Sequence, residues 1–242
     1  NTVGLGGAFA GVSNGALIVA GGANFPNDPE WDNGSKVWYD NIYVLTSENK
    51  EKGWLTGFKL DQPLGYGASV STGDSLILIG GSHAEGYHDG VTKLTWNSET
   101  QKIEQNPLPS LPQPLALSDA AKVKNTLYVV GGHVGSSSKS LTNVFWSLDL
   151  NKIDAEWEIL DAWEGAARRK AFVTTQSQGD RTYLYVFGGE NLISEENGKT
   201  KTTPLTDAYK YSPRFKQWER ITDTPHPITA APGLAYGQSH IL

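Results

Sequence analysis

The chain has 242 residues, of which 38% are hydrophobic and 19% charged, with a formal net charge of −6 at pH 7. This hydrophobic content supports a sizeable core and excludes a disordered chain or a coiled coil, and an acidic balance without Lys/Arg-rich runs excludes a nucleic-acid binder. No apolar run approaches the roughly 20 residues that span a bilayer, and the lack of cysteine excludes disulfides and thiolate metal sites.

Four Gly-Gly pairs punctuate the chain. They begin at Gly21, Gly80, Gly131 and Gly188, at intervals of 59, 51 and 57 residues. A period of this size is typical of a propeller or another array of repeated sheets. Each pair ends an apolar run, so we expect positive φ angles there and neighbouring atoms too close for a side chain.

The first repeat, residues 6–60, predicts four strands. "GGAFAGVS" and "ALIVAGG" flank the turn Asn14-Gly15, "NIYVLT" follows a loop, and a fourth strand carries Trp54. The acidic "NDPEWDNGS" at 27–35 lacks EF-hand spacing. It indicates an excursion loop between the second and third strands.

The next three repeats keep this order. They span residues 61–111, 112–163 and 164–224. Their first strands are "GYGASVS", "LSDAAKV" and "KAFVTT"; their third strands are "VTKLTW", "NVFWSL" and "DAYKYS". Trp157 and Trp218 mark the fourth strand of the last two repeats, and we expect them and Trp54 to pack between adjacent sheets. Four short strands per repeat, without a helical period, predict the blades of a β-propeller.

The last segment, residues 225–242, predicts the start of a fifth blade. "APGLAYGQSHIL" repeats the first-strand, turn and second-strand pattern. Because an open ring leaves strand edges exposed, we expect native sequence to continue beyond Leu242.

The Gly-Gly pattern, followed by a strand with Tyr and then Trp, resembles the Kelch repeat over essentially the whole chain. Within Kelch proteins, "GGAFAGVSNGALIVAGGANF" (6–25), "YGASVSTGDSLILIGG" (66–81) and "YLYVFGGENLISEENG" (183–198) resemble the N-acetylneuraminate epimerase family, the sialic acid mutarotases. Their order is rotated, as in the cyclically permuted mutarotase branch. The resemblance implies an all-β, Kelch-type β-propeller as a single domain over 1–242, with four blades plus the start of a fifth present and six in the complete ring.

The resemblance also implies an isomerase. It would interconvert the α and β anomers of N-acetylneuraminate by acid/base-assisted ring opening, with no metal and no organic cofactor. The expected partner is a small-molecule sugar acid, with no nucleic acid and no membrane; a homodimer stays open, and a periplasmic or secreted location is favoured.

Polar residues follow the glycine pairs. Asn24, Ser82, His133 and Glu190 lie one or two residues past them, and repetition would place them on one face near the axis. Ring opening needs one group to remove the anomeric hydroxyl proton and another to protonate the ring oxygen. We predict Glu190 and His133 as the catalytic pair.

The family's catalytic glutamate follows a glycine after an apolar strand and precedes an arginine by six residues. Glu190 matches the first feature, but Glu196 stands where the arginine should be. The resemblance therefore also allows the principal base to lie on a blade beyond Leu242.

Five residues are predicted to bind substrate. Arg168 and Arg169 open the strand in "AARRKAF", and one of them would clamp the sugar carboxylate because a guanidinium binds carboxylates bidentately. Asn24, His83 and Tyr66 are further contacts, Tyr66 because "LGYGAS" resembles a family segment with an inner-strand tyrosine. Packing and surface ion pairs are the alternative roles.

A non-catalytic Kelch propeller, acting as a protein-interaction or carbohydrate-binding module, is the alternative function. The long loop 191–205 would supply its contacts. Galactose oxidase chemistry is excluded because its cofactor needs a cysteine, and sialidase chemistry because the Ser-x-Asp-x-Gly-x-Thr-Trp boxes are absent.

Overall fold

The computed structural model describes residues 4–136, 141–195 and 199–242. Over these residues the regular structure consists of β-strands and one short 3-10 helix, Glu30–Asp32. No helix in this described part is long and apolar enough to cross a membrane. The chain divides into two compact units, unit 1 (Asn1–Ala116) and unit 2 (Leu117–Leu242).

Unit 1 contains two antiparallel four-stranded sheets, each built from consecutive stretches of one repeat. Sheet 1 contains β1 (Phe9–Ser13), β2 (Ala16–Ala20), β5 (Asn41–Leu45) and β6 (Leu55–Lys59), and a side hairpin pairs β3 (Ala23–Asn24) with β4 (Val37–Trp38). Sheet 2 contains β7 (Ala68–Ser71), β8 (Leu76–His83), β9 (Gly86–Asn97) and β10 (Lys102–Leu108), and β11 (Leu115–Ala116) follows it.

Unit 2 repeats the arrangement. Sheet 3 contains β12 (Asp119–Val123), β13 (Thr126–Val130), β15 (Phe145–Asp149) and β16 (Glu158–Ile159), with β14 (His133–Val134) between the second and third of these strands. Sheet 4 contains β17 (Phe172–Gln178), β18 (Arg181–Phe187), β21 (Ala208–Ser212) and β22 (Gln217–Ile221). Two hairpins complete the unit: β19 (Glu190–Ser194) with β20 (Thr200–Pro204), and β23 (Ala235–Tyr236) with β24 (His240–Ile241).

The four-strand order predicted for each repeat is confirmed. One boundary differs: in sheet 2 the second strand does not end at the glycine pair. β8 runs on to His83, with an irregularity between Ile79 and Gly81. It can continue because β9 begins at Gly86, so a tight turn replaces the excursion loop found in sheet 1.

The glycine pairs behave as predicted. All eight glycines have positive φ, for example +55° at Gly188 and +89° at Gly189. A Cβ atom on Gly188 would collide with the carbonyl oxygen of Ile228. The same oxygen accepts a 2.6 Å hydrogen bond from the Gly189 N–H. The pair therefore ends the strand because the next segment of chain packs directly on its backbone.

Each unit has a hydrophobic core between its two sheets. In unit 1, Phe9, Ile18 and Val44 of sheet 1 pack with Leu76 and Trp96 of sheet 2. In unit 2 an aromatic cluster fills the same place, with Tyr128, Phe145, Trp163, Tyr209 and Tyr211 buried among aliphatic side chains. Burying each of these large side chains contributes about 1.5–3 kcal/mol.

The tryptophan prediction is confirmed at one position and wrong at another. Trp218 of sheet 4 contacts Phe145 and Trp163 of the third repeat, with ring centroids 4.8 and 5.6 Å apart. Trp54 is instead 43% exposed. Phe58, from β6, faces Trp96 of sheet 2 at 5.9 Å and fills the place predicted for Trp54.

Candidate functional site

In sheets 1, 2 and 4 the residue after the glycine pair forms a β-bridge with the residue three positions before the first strand of the same sheet. The bridges join Gly6 to Ala23 and Gly65 to Ser82 in unit 1, and Arg169 to Glu190 in unit 2. Unit 1 thus has small residues on both sides of each bridge, whereas unit 2 has opposite charges. Since the backbone forms this bridge with small residues, the charged pair is not required by the fold.

Arg169, Lys170 and Glu190, here called the Arg169 cluster, are joined by short contacts. Arg169 Nε and Lys170 Nζ each lie 2.8 Å from Glu190 Oε1. Two backbone hydrogen bonds of 3.0 Å hold Arg169 against Glu190. The side chains of Arg169, Glu190 and Lys170 are 17%, 11% and 32% exposed, so the cluster is shielded but reaches the surface.

The pKa of Glu190 is lowered. Burial acts to raise it, but hydrogen bonds from Lys170 and Arg169, together with their positive charges, outweigh that effect. Glu190 is therefore ionised at neutral pH. A carboxylate with a lowered pKa is poorly matched to general acid/base work and well suited to holding two cations in place.

Arg169 keeps most of its guanidinium available. Only Nε is used for Glu190, and no described residue accepts a hydrogen bond from its two Nη atoms. A guanidinium fixed through Nε presents its Nη atoms as a planar fork, which is the geometry that binds a carboxylate bidentately.

Arg168 does not fit the predicted role of carboxylate clamp. Its side chain is fully buried, Nη2 lies 2.7 Å from Asp207 Oδ2, and Nη1 donates to the carbonyl oxygen of Gly188 at 2.8 Å. Its guanidinium also lies over the rings of Trp163 and Tyr209, at 5.1 and 5.2 Å. Arg168 therefore stabilises the interior of unit 2, and Arg169 is the arginine that can reach a ligand.

His133 lies beside this cluster along the backbone. It is 5% exposed and begins β14 directly after the third glycine pair, as Glu190 begins β19 directly after the fourth. The N–H of the preceding Gly132 donates to the carbonyl oxygen of Arg168 at 2.8 Å. The structure thus brings together the segments that carry His133, Arg169 and Glu190, while Glu196 lies outside the described residues.

Asp119 is a further titratable residue in unit 2, and it is not among the residues predicted from the sequence. It opens β12, opposite Val130, where the other sheets place Phe9, Ala68 and Phe172. Its carboxylate accepts backbone N–H bonds from Val173 at 2.7 Å and from Ala120 at 2.8 Å. Aligning the first strands on their glycine pairs would have exposed this carboxylate among apolar residues.

Burial raises the pKa of Asp119 to about 7, against the lowering effect of the hydrogen bonds from Val173 and Ala120. Both oxygens face backbone N–H groups, one from β12 and one from β17. Asp119 therefore links the first strands of sheets 3 and 4 through a group that titrates near neutral pH.

Unit 1 holds the other three predicted residues. Asn24 Oδ1 accepts a 2.9 Å hydrogen bond from the Tyr39 hydroxyl, and His83 Nδ1 accepts a 3.3 Å bond from the Glu85 N–H. Tyr66 has a φ of +60° and donates its N–H to the Gly7 carbonyl at 2.7 Å. Left-handed backbone is uncommon for a bulky residue, so the position of the Tyr66 ring is set by the fold.

No group of three or more His, Asp or Glu side chains in the described part of the chain could hold a metal ion. A surface groove of about 400 Å³ in unit 2, lined by residues that include Tyr128, Asp154 and Tyr211, contains none of the predicted site residues. The Arg169 cluster is therefore favoured by its chemistry rather than by the size of a cavity.

A family model matches nearly the whole chain. The family model for N-acetylneuraminate epimerase matches residues 1–103 and 108–242. A curated N-acetylneuraminate epimerase from Salmonella enteritidis PT4 is 46% identical over 92 residues, which cover 34% of this chain and 23% of that protein. One from Yersinia pestis (strain Pestoides F) is 39% identical over 111 residues, covering 42% of this chain and 27% of that protein.

The aligned stretches thus span about a quarter of the length of these curated relatives. A solved structure described as that of YjhT superimposes with a TM-score of 0.75 and 12% identity, covering 96% of this chain and 74% of that one. This likeness confirms the all-β, Kelch-type β-propeller fold. The number of blades and the single-domain boundary stay predictions.

Proposed function

Because the chain belongs to the N-acetylneuraminate epimerase family, we propose that it interconverts the α and β anomers of N-acetylneuraminate. The observation that carries this proposal is the Arg169 cluster. It places an arginine fork, held by a buried carboxylate, at a bridge where unit 1 has only small residues. The substrate of this reaction is a sugar acid, and its carboxylate is the complement of that fork.

In the proposed complex, the two Nη atoms of Arg169 donate to the substrate carboxylate. Glu190 stays ionised and fixes Arg169 through Nε, so the guanidinium does not have to be ordered when substrate arrives. Lys170, bound to the same oxygen of Glu190, adds positive charge next to the fork. Glu190 is then a positioning residue rather than the general base.

Proton transfer is assigned to His133. When the ring opens, the anomeric hydroxyl loses a proton, the bond from the anomeric carbon to the ring oxygen breaks, and the ring oxygen gains a proton. The open-chain keto form then recloses on its other face, which inverts the anomeric carbon without loss of atoms. Imidazole suits this step because its ordinary pKa lies near neutrality; the second proton-transfer group stays a prediction, as does a homodimer.

The proposal is tested by proton NMR of freshly released α-N-acetylneuraminate. We expect the purified protein to shorten the approach to the anomeric equilibrium, in proportion to its concentration, relative to buffer alone. Binding of the sugar with no change in that rate would instead support the carbohydrate-binding module, and neither effect would leave only an interaction module.

A further inference from the structure

A cation without a described counter-ion lies among aromatic rings in unit 1. Lys36 Nζ lies over three aromatic rings, 4.9 Å from the centroid of Tyr66, 5.3 Å from Phe25 and 5.6 Å from Trp38. These distances are within the range of cation–π attraction. No carboxylate in the described part of the chain forms an ion pair with Lys36.

Lys36 and these three rings, here called the Lys36 cluster, are held by backbone structure. The β3/β4 hairpin pairs Ala23 with Trp38, directly after the first glycine pair. Tyr66 is fixed by its left-handed backbone and by contact of its ring with Gly7, where a Cβ atom would strike the ring. The rings are therefore in place before any ligand binds.

Lys210 provides a comparison within the chain. Lys210 also lies over an aromatic ring, 5.1 Å from the centroid of Tyr183, but its ammonium is 2.9 Å from Glu219. Lys36 is partly buried and pairs with no described carboxylate, so its three N–H donors remain available. A half-buried ammonium next to aromatic faces is a site that an anion with an apolar side can fill.

We propose that the Lys36 cluster binds an acidic sugar. The sugar carboxylate contacts Lys36 Nζ, and the C–H face of the pyranose ring packs on the exposed part of an aromatic ring of the cluster. The ligand class, a sugar acid, rests on the proposed function, whereas the location rests only on the contacts around Lys36 in unit 1. The same chemistry is offered by a free sugar acid and by a terminal sialic acid on a glycan.

The test measures binding without catalysis. The methyl α-glycoside of N-acetylneuraminate cannot open its ring, so calorimetric titration with it reports affinity alone; sialyllactose, titrated in parallel, distinguishes glycan from free sugar. Because the Arg169 cluster is proposed to bind the same carboxylate, these variants are compared in protein that carries Arg169→Ala, and there we expect Lys36→Gln to weaken binding of the tighter of these two probes at least tenfold. Lys36→Arg, which keeps the charge, should stay within about threefold, and Lys210→Gln should leave the affinity unchanged.

Unchanged affinity in Lys36→Gln, an equal loss in Lys210→Gln, or no binding of either probe by the unaltered protein would overturn the inference. If Lys36→Gln misfolds, as judged by its thermal melt, Lys36→Arg decides: loss of binding in a folded Arg variant contradicts a charge-based site. If the protein interconverts the anomers but its binding does not depend on Lys36, this inference is overturned and the proposed function stands. If binding depends on Lys36 but the protein does not interconvert the anomers, the proposed function is overturned and this inference stands.

Discussion

Replacement of Asp119 by asparagine should change how the stability of the protein depends on pH. Asp119 is a partly buried residue at a position that is apolar in the other three sheets, and desolvation raises the pKa of its carboxyl from 3.8 to about 7 on folding. In the folded protein it keeps a proton that the unfolded chain releases. The contribution to stability is therefore present below pH 3.8 and is lost as the pH rises through about 7.

The size of the effect follows from the shift. A rise from 3.8 to about 7 corresponds to about 4 kcal/mol, of which about 3 kcal/mol falls between pH 5 and pH 8. Asparagine has nearly the same shape and does not titrate. It can accept the N–H of Val173 or of Ala120 but not both, which costs a constant amount at every pH.

Urea unfolding at pH 5, 6.5 and 8 measures the difference. We expect the free energy of unfolding of the unaltered protein, relative to Asp119→Asn, to fall by about 3 kcal/mol from pH 5 to pH 8. Asp74→Asn is the matched control, because a hydrogen bond from Thr72 lowers the pKa of Asp74 to about 2 and keeps it ionised throughout this range. A difference for Asp119→Asn that is constant with pH, as in the control, would refute the assignment of a raised pKa to this group.

Three further predictions concern the glycine pairs, the tryptophans and the carboxylate of the site. Gly188→Ala should lower the free energy of unfolding by about 3 kcal/mol or more, because the strain of left-handed backbone and a collision with backbone atoms add. Gly179→Ala, where φ is +63° and no atom lies near the added Cβ, should lower it by only about 1 kcal/mol. Equal losses in the two variants would contradict the packing explanation. Trp218→Ala should cost about 3–5 kcal/mol in the same assay and Trp54→Ala less than about 1 kcal/mol, and a reversed order would show that the exposed indole is the wedge. Glu190→Gln should raise KM for α-N-acetylneuraminate about tenfold with little change in kcat; a fall in kcat of about 100-fold or more at constant KM would instead make Glu190 the base.

The fold could be predicted because its signals are local. Each glycine pair needs φ values that other residues avoid, and each turn between the first two strands has Gly, Asn or Asp nearby, so strand ends are encoded in a few adjacent residues. Strand order then follows from short connections. The continuation of β8 to His83 was missed because a glycine pair inside a strand has the same sequence as one at its end.

The site could be predicted only in part, because it depends on partners distant in sequence. Arg168 and Arg169 are adjacent and chemically identical, yet their surroundings differ. Arg168 is buried in an ion pair with Asp207, whereas Arg169 is held near the surface by Glu190. The environment of Asp119 is set by a backbone group of β17. No local pattern records such pairings.

The interconversion rate of Arg169→Ala tests the central claim most directly, since Arg169 is the group proposed to bind the substrate carboxylate. We expect kcat/KM for α-N-acetylneuraminate to fall about 30- to 900-fold, equivalent to about 2–4 kcal/mol, with Arg181→Ala, which removes an exposed arginine of the same unit, unchanged. A folded Arg169→Ala protein that restores anomeric equilibrium as fast as the unaltered one would contradict the account.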